Sequence, residues 1–209
     1  AFNVFTKDGH IYGVPVNKGM VVTPTLTYDK DMLQATGFSI DDIDTIRDLP
    51  PVFDKIKEIY PDVYPFAGTN AQDSGIMMIL KGENDIDCLS DNTTFMGVVF
   101  GDSREVVNLY ETQEFHDYIS LMRDWYEEGY MPQDMATSTT TMTELMAAGR
   151  LFCSWAGYGG DSIATTISAT TGRNVGGKWI APFYFDSSTA GLAMCISSTS
   201  KAPEAAMKL

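Results

Sequence analysis

The chain has 209 residues, 44% of them hydrophobic, and a formal net charge of −14 at pH 7. That length suffices for one sizeable core or two small ones, and so acidic a surface argues against nucleic acid and anionic membranes as partners. No apolar run approaches the roughly 20 residues needed to span a bilayer. The three cysteines, Cys88, Cys153 and Cys195, form no Cys-x-x-Cys pair and stand apart from His10 and His116, which argues against a zinc site.

In chain order, Asp8-Gly9 in "DGHIYGVPV" predicts a hairpin turn followed by a strand. "MVVTPTLTYD" continues extended, with Pro15 and Pro24 confining its pairing to an edge or to strand ends. Asp29 is placed to cap a helix, "KDMLQAT", that Gly37 stops. After a short acidic stretch, Asp48 is the expected N-cap of "LPPVFDKIKEIY", because prolines are tolerated in a first turn. Val52, Phe53, Ile56, Ile59 and Tyr60 give that helix one apolar face. "VYPFAG" then reads as a strand running into the loop "TNAQDSG" and an apolar helix, "IMMILKG".

Residues 83–94 read as a polar loop, and "FMGVVFGDSREVVNLY" as a hairpin around Gly101-Asp102-Ser103. The longest helix is "TQEFHDYISLMRDWYEEG", capped by Thr112 and stopped by Gly129. Its stripe of Phe115, Tyr118, Ile119, Met122, Trp125 and Tyr126 belongs to a core rather than to a cofactor site. "TTTMTELMAAG" is a helix ending at Gly149, Leu151–Ser154 a buried strand, and residues 161–171 a helix led by Asp161 or Ser162. "GGKWIAPFYF" and "GLAMCISSTS" read as two more strands, and Ser200 or Pro203 opens a final helix. Cys153 and Cys195, in apolar strand-like runs, are expected to be buried thiols. Alternating strands and helices predict an α/β fold with a largely parallel or mixed sheet.

Candidate chemistry centres on "LFCSWAGYGGDS". Gly157-x-Gly159-Gly160-x-Ser162 has the glycines of a phosphate cradle. It lacks the cation: no Lys or Arg follows until Arg173, and Asp161 would repel an anion. A helix starting at Asp161 would sooner offer its N–H groups to a neutral hydroxyl. The other possibility is an exposed platform of Trp155 and Tyr158 on which the apolar face of a sugar stacks, with Asp, Asn and Gln taking its hydroxyls. Against that, Trp155 could simply plug the top of the sheet. Asp73 and Asp161 are the acids that follow a strand and loop, where α/β folds place ligand groups. A glycan hydrolase would need two such carboxylates across a cleft. No serine nucleophile elbow is present.

The succession "DGHIYGVPV", "TLTYDKDMLQATGF", "VYPFAG", "YETQEFHDYISLMRDWYEEGYMPQD", "ELMAAGRLFCSWAGYGG" and "AMCISSTSKAPEAAMKL" resembles the extracellular solute-binding proteins of ABC sugar importers, the family that includes maltose-binding protein. The likeness runs in order along nearly the whole chain and is closest in flavour to the lipid-anchored Gram-positive members. It implies one lobe of a two-lobed periplasmic-binding-protein-like (class II) fold, a mixed sheet flanked by helices. Residues 1–20 would be a hinge crossing, 21–185 the ligand-binding lobe, and 186–209 the return crossing and the start of a helix. The other lobe and the lipid-anchoring cysteine would lie outside this piece of the protein.

The resemblance further implies non-catalytic capture of a sugar or oligosaccharide outside the cell, either periplasmic or membrane-anchored, and delivery to ABC permease subunits, with no cofactor and no metal. Trp155, then Tyr158, would stack on the sugar; Asn70, Gln72, Asp73 and Asp161 would hydrogen-bond it; Asn17 and Lys18 fall where the crossing strand meets the cleft. Asn17-Lys18-Gly19 stands where maltose binders carry a carboxylate, and no aromatic follows Asp73, so malto-oligosaccharides are not implied. The same fold could bind a peptide or another small molecule. A glycan hydrolase using Asp73 and Asp161 is the remaining alternative.

Overall fold

The computed structural model describes residues 6–15, 21–22, 25–68, 86–87, 96–99, 105–135, 137–156, 160–180, 184–185 and 193–208. Thr6–Lys7 (β1) and His10–Ile11 (β2) form a hairpin. Asp8 at φ 53 and Gly9 at φ 78 both take the left-handed conformation that a tight two-residue turn requires. Val14–Pro15 (β3) and Val21–Val22 (β4) follow, then Thr25–Asp29 (β5) and helix α1, Lys30–Thr36. The Asp29 carboxylate accepts from the backbone of Asp31 and Met32, both at 3.0 Å, and Gly37 at φ 81 ends the helix. Both ends of α1 are therefore as the sequence predicts.

Helix α2 spans Pro50–Ile59, but its N-cap is Leu49, without a side-chain bond. Asp48 instead accepts from the backbone of Asp44 at 3.0 Å and Thr45 at 2.8 Å, closing a capping box on the single turn Ile46–Asp48. Pro50 and Pro51 explain the difference: with Asp48 as cap they would be the second and third helical positions, whose N–H groups a cap binds, and neither has an N–H. Tyr64–Ala67 (β6) is the expected strand. The loop and helix predicted over residues 69–82 lie outside the described residues. Ile86–Asp87 (β7), within the stretch read as loop, pairs antiparallel with Met96–Val99 (β8), which pairs with Val106–Asn108 (β9) in the predicted hairpin.

Helix α3, Gln113–Glu127, starts where Thr112 accepts from the Phe115 N–H and stops before Gly129 at φ 69. A second capping box, Thr141 with Glu144, opens α4, Met142–Ala147. Leu151–Ala156 (β10), helix α5 (Asp161–Thr171) and Val175–Trp179 (β11) follow. "GGKWIAPFYF" is thus two strands, because Tyr184–Phe185 (β12) pairs with β4 rather than with the partner of β11. Among the described residues of "GLAMCISSTS", Ala193–Met194 (β13) is a strand, paired with β3, and 195–200 are not. Cys195 is exposed rather than buried. A last turn, α6, spans Pro203–Ala206.

The main sheet has the order β11-β5-β10-β6. β10 runs parallel to β6 and antiparallel to β5, and β11 is antiparallel to β5. The sheet is therefore mixed, as expected, and the carboxyl ends of β6, β10 and β11 share one edge. Helices cover both faces. One buried cluster gathers Leu26, Met32, Leu33, Phe53, Ile56, Phe66, Tyr118, Trp125 and Phe152. Phe53 lies edge-on to Trp125 and Tyr130, with ring centroids at 5.0 and 5.2 Å, the arrangement aromatic quadrupoles favour. A second cluster joins Ala67, Met146, Leu151, Ala164, Ile167 and Val175. On α2 and α3 the predicted stripes hold at Val52, Phe53, Ile56, Tyr118, Met122 and Trp125, while Ile59, Ile119 and Tyr126 stay part-exposed at their margins.

Candidate ligand-binding site

Ligands of α/β folds sit outside the carboxyl ends of the parallel strands, and here that edge carries a built depression. Helix α5 begins there at Gly160, with φ 45. The Gly160 N–H donates to Thr25 Oγ1 of β5 at 3.2 Å. Two glycines make the approach possible. A Cβ on Gly177 would lie 2.6 Å from the Gly160 carbonyl oxygen, and a Cβ on Gly160 would lie 2.6 Å from Trp179 Nε1. The edge of the Trp179 indole therefore rests on bare backbone at the start of α5, while 62% of the residue stays exposed. β11 is at the margin of the sheet, and among the described residues no strand lies beyond it.

Ile40 and Asp41, from the single turn Ile40–Asp42, form the other wall; with Gly160, Asp161, Gly177, Lys178 and Trp179 they line a depression of about 380 Å³. Lys178 ties the wall to β11: its ammonium donates to the Ile40 carbonyl at 2.6 Å and stands 3.7 Å from the Asp44 carboxylate. The Asp41 and Asp161 side chains belong to exposed residues. Their fields converge on the buried Tyr28 phenol, which burial first, and then Asp41 and Asp161, push above its ordinary pKa. An open indole face, two acceptor carboxylates and a helix start are suited to an uncharged, hydroxyl-rich ligand with an apolar face.

Of the residues nominated from sequence, Asp161 lines this depression. Trp155 does not form an exposed platform. It is 3% exposed, its ring stands 6.2 Å from Phe66, and its Nε1 is buried without a hydrogen-bond partner among the described residues. The reason is its strand: β10 lies between β5 and β6, and all of residues 151–155 are buried, so no position there faces solvent. Trp155 thus plugs the sheet, the alternative its sequence left open. Tyr158, Asn70, Gln72, Asp73, Asn17 and Lys18 lie outside the described residues. Sequence reasoning missed Trp179, Asp41 and Lys178. The signal was there: Trp179 also lies close behind a glycine pair, Gly176-Gly177. Among the described residues no group of three or more His, Cys, Asp or Glu is placed to hold a metal, and no helix is long and apolar enough to cross a membrane.

The family model of the bacterial extracellular solute-binding proteins matches residues 1–209. A carbohydrate ABC transporter substrate-binding protein of Streptococcus pneumoniae is 32% identical over 136 residues, which are 65% of this chain and 26% of that protein. Among solved structures, the N-glycan transport solute binding protein NgtS of S. pneumoniae is similar at a TM-score of 0.77 and 27% identity, covering 99% of this chain and 44% of that one. NgtS in complex with Man1GlcNAc gives a TM-score of 0.73 at 27% identity, over 98% of this chain and 44% of that one. This chain therefore spans less than half the length of each of these relatives. Its ordered succession of motifs, its mixed α/β sheet and the family match over its whole length agree: the chain belongs to the bacterial extracellular solute-binding protein family.

Proposed function

We propose that this chain is the ligand-binding lobe of a non-catalytic protein that captures a carbohydrate outside the cell and hands it to the permease of an ABC importer. The observation that carries this is the exposed indole of Trp179, which lines one depression with Asp41 and Asp161 at the carboxyl edge of the sheet. A sugar's C–H face stacks on the ring. Its hydroxyls donate to the two carboxylates and accept from the first turn of α5. The relatives named for carbohydrate and N-glycan transport support the ligand class.

Residues 1–20 and 186–209 are the two crossings of a hinge. Their antiparallel pairing, Val14 with Met194 and Pro15 with Ala193, supports that assignment. Binding then works as hinge closure: the second lobe closes because the ligand prefers the closed state, by as much as its affinities for the two states differ. Tyr158, Asn70, Gln72, Asp73, Asn17 and Lys18 are proposed as further contacts on the resemblance alone.

The test is a titration of the full-length protein with neutral oligosaccharides, by calorimetry and by chromatographic analysis of the mixture afterwards. Saturable binding with the sugar recovered intact is the expected result. Cleaved sugar, abolished by Asp161→Asn, would make the protein a hydrolase. Peptide binding without sugar binding would make it an importer component for another solute.

A further inference from the structure

The charges around the depression say which carbohydrates enter. Asp41 and Asp161, both exposed, are the two acidic residues that line it. Lys178 is the cation among its lining residues, and that charge is committed: the ammonium is bound to the Ile40 carbonyl and lies beside Asp44. The start of α5 is a partial positive charge that could otherwise draw an anion. Asp161 occupies its first turn and already offsets it. The chain as a whole carries a formal net charge of −14, so its long-range field opposes an anion too.

We infer, resting on the carbohydrate-binding role proposed above, that this depression selects its ligand by charge, taking neutral or ammonium-bearing sugar units and excluding uronate, sulfated, phosphorylated and sialylated ones. The physical basis is an asymmetry between the two classes. A hydroxyl or an ammonium donates to Asp41 and Asp161 and leaves both carboxylates satisfied. An acidic group brought to the same place meets no free cation among the described lining residues, loses water, and faces two like charges. The Tyr28 phenol is pushed above its ordinary pKa by burial first, and Asp41 and Asp161 add to that push in the same direction.

The experiment uses the labelled full-length protein on an array carrying neutral glycans, glucosamine oligomers, and the sialylated, sulfated, phosphorylated and uronate derivatives of the same neutral glycans. Wild type should bind neutral or glucosamine-containing members and bind their acidic derivatives at least about tenfold more weakly. Asp41→Asn/Asp161→Asn keeps the side-chain shapes and removes both charges, so it should shrink that ratio toward one, with the folded state checked by circular dichroism. Acidic derivatives bound as well as their neutral parents would overturn charge selection while leaving sugar binding in place. A ratio unchanged in the double variant would also overturn it, by placing the selection elsewhere in the protein. Binding to no glycan at all would overturn the carbohydrate role itself.

Discussion

Gly177→Ala tests how the site is built. The added Cβ would lie 2.6 Å from the Gly160 carbonyl oxygen, 3.0 Å from its carbon and 3.3 Å from Thr25 Cγ2. Carbon–oxygen contacts settle at about 3.3–3.6 Å, so from 2.6 Å the carbonyl must retreat by about 0.7–1.0 Å. That carbonyl is backbone, held by the Gly160 N–H bond to Thr25, so it cannot swing aside as a side chain would. Overpacking of this kind costs about 1–3 kcal/mol. It also carries Gly160, Asp161 and the resting place of Trp179 away from β11, and a displacement near 1 Å loosens a binding constellation by about an order of magnitude in affinity. Urea unfolding of the full-length protein reads the first effect and calorimetric titration with a bound neutral oligosaccharide reads the second. Gly9→Ala is the control: its φ is +78 with nothing within 4 Å, so it costs about 1 kcal/mol of local strain and no affinity. Unchanged stability and affinity in Gly177→Ala would refute this account of the site's foundation.

Three further outcomes are expected. Asp29→Ala removes both cap bonds of α1 and, from a fully buried position, the ion pair with Arg173 at 2.7 Å; unfolding should become easier by about 2–4 kcal/mol, and a change below about 1 kcal/mol would show the cap to be dispensable. The Asp48 carboxyl is held below its ordinary pKa by the Thr45 N–H first and then by the Asp44 N–H, the Thr45 hydroxyl and Lys178, and the Glu144 carboxyl by the Thr141 N–H and hydroxyl. Groups with depressed folded-state values contribute stability that is complete above the ordinary carboxylate range and drains as pH falls below it, so Asp48→Asn/Glu144→Gln should flatten the loss of stability between about pH 5 and 3; an unaltered acid limb in urea titrations would contradict this. The Cys153 thiol, pushed well above its ordinary pKa by burial, should resist iodoacetamide in the native protein and react only on unfolding, as peptide mapping can check.

What the sequence disclosed and what it withheld divide along a physical line. Asp29 and Gly37 mark the ends of α1, and Thr112 and Gly129 those of α3, because a cap and a stop act within one turn of chain. Asp8-Gly9 announced its turn for the same reason. Asp48 misled because its effect depends on two prolines that have no N–H to cap. The order of weak motifs revealed the family, yet it nominated Trp155 and passed over Trp179. Both are tryptophans near strand ends with a glycine two residues away. Their exposure, 3% against 62%, follows from strand order: β10 is interior to the sheet and β11 is at its margin. Strand order is a property of the whole chain and leaves no local mark. Asp41 and Lys178 were hidden likewise, since they meet only when the turn after α1 folds back on β11.

The most direct measurement compares Trp179→Ala with Trp155→Phe in the full-length protein, titrated by calorimetry with one neutral oligosaccharide that the wild type binds. If Trp179 is the stacking surface, its loss should weaken binding by roughly 1–2 kcal/mol or more, about tenfold or greater. Trp155→Phe should lower stability through its core position and leave affinity within about twofold. The reverse pattern, with Trp155→Phe abolishing affinity and Trp179→Ala leaving it intact, would contradict the assignment.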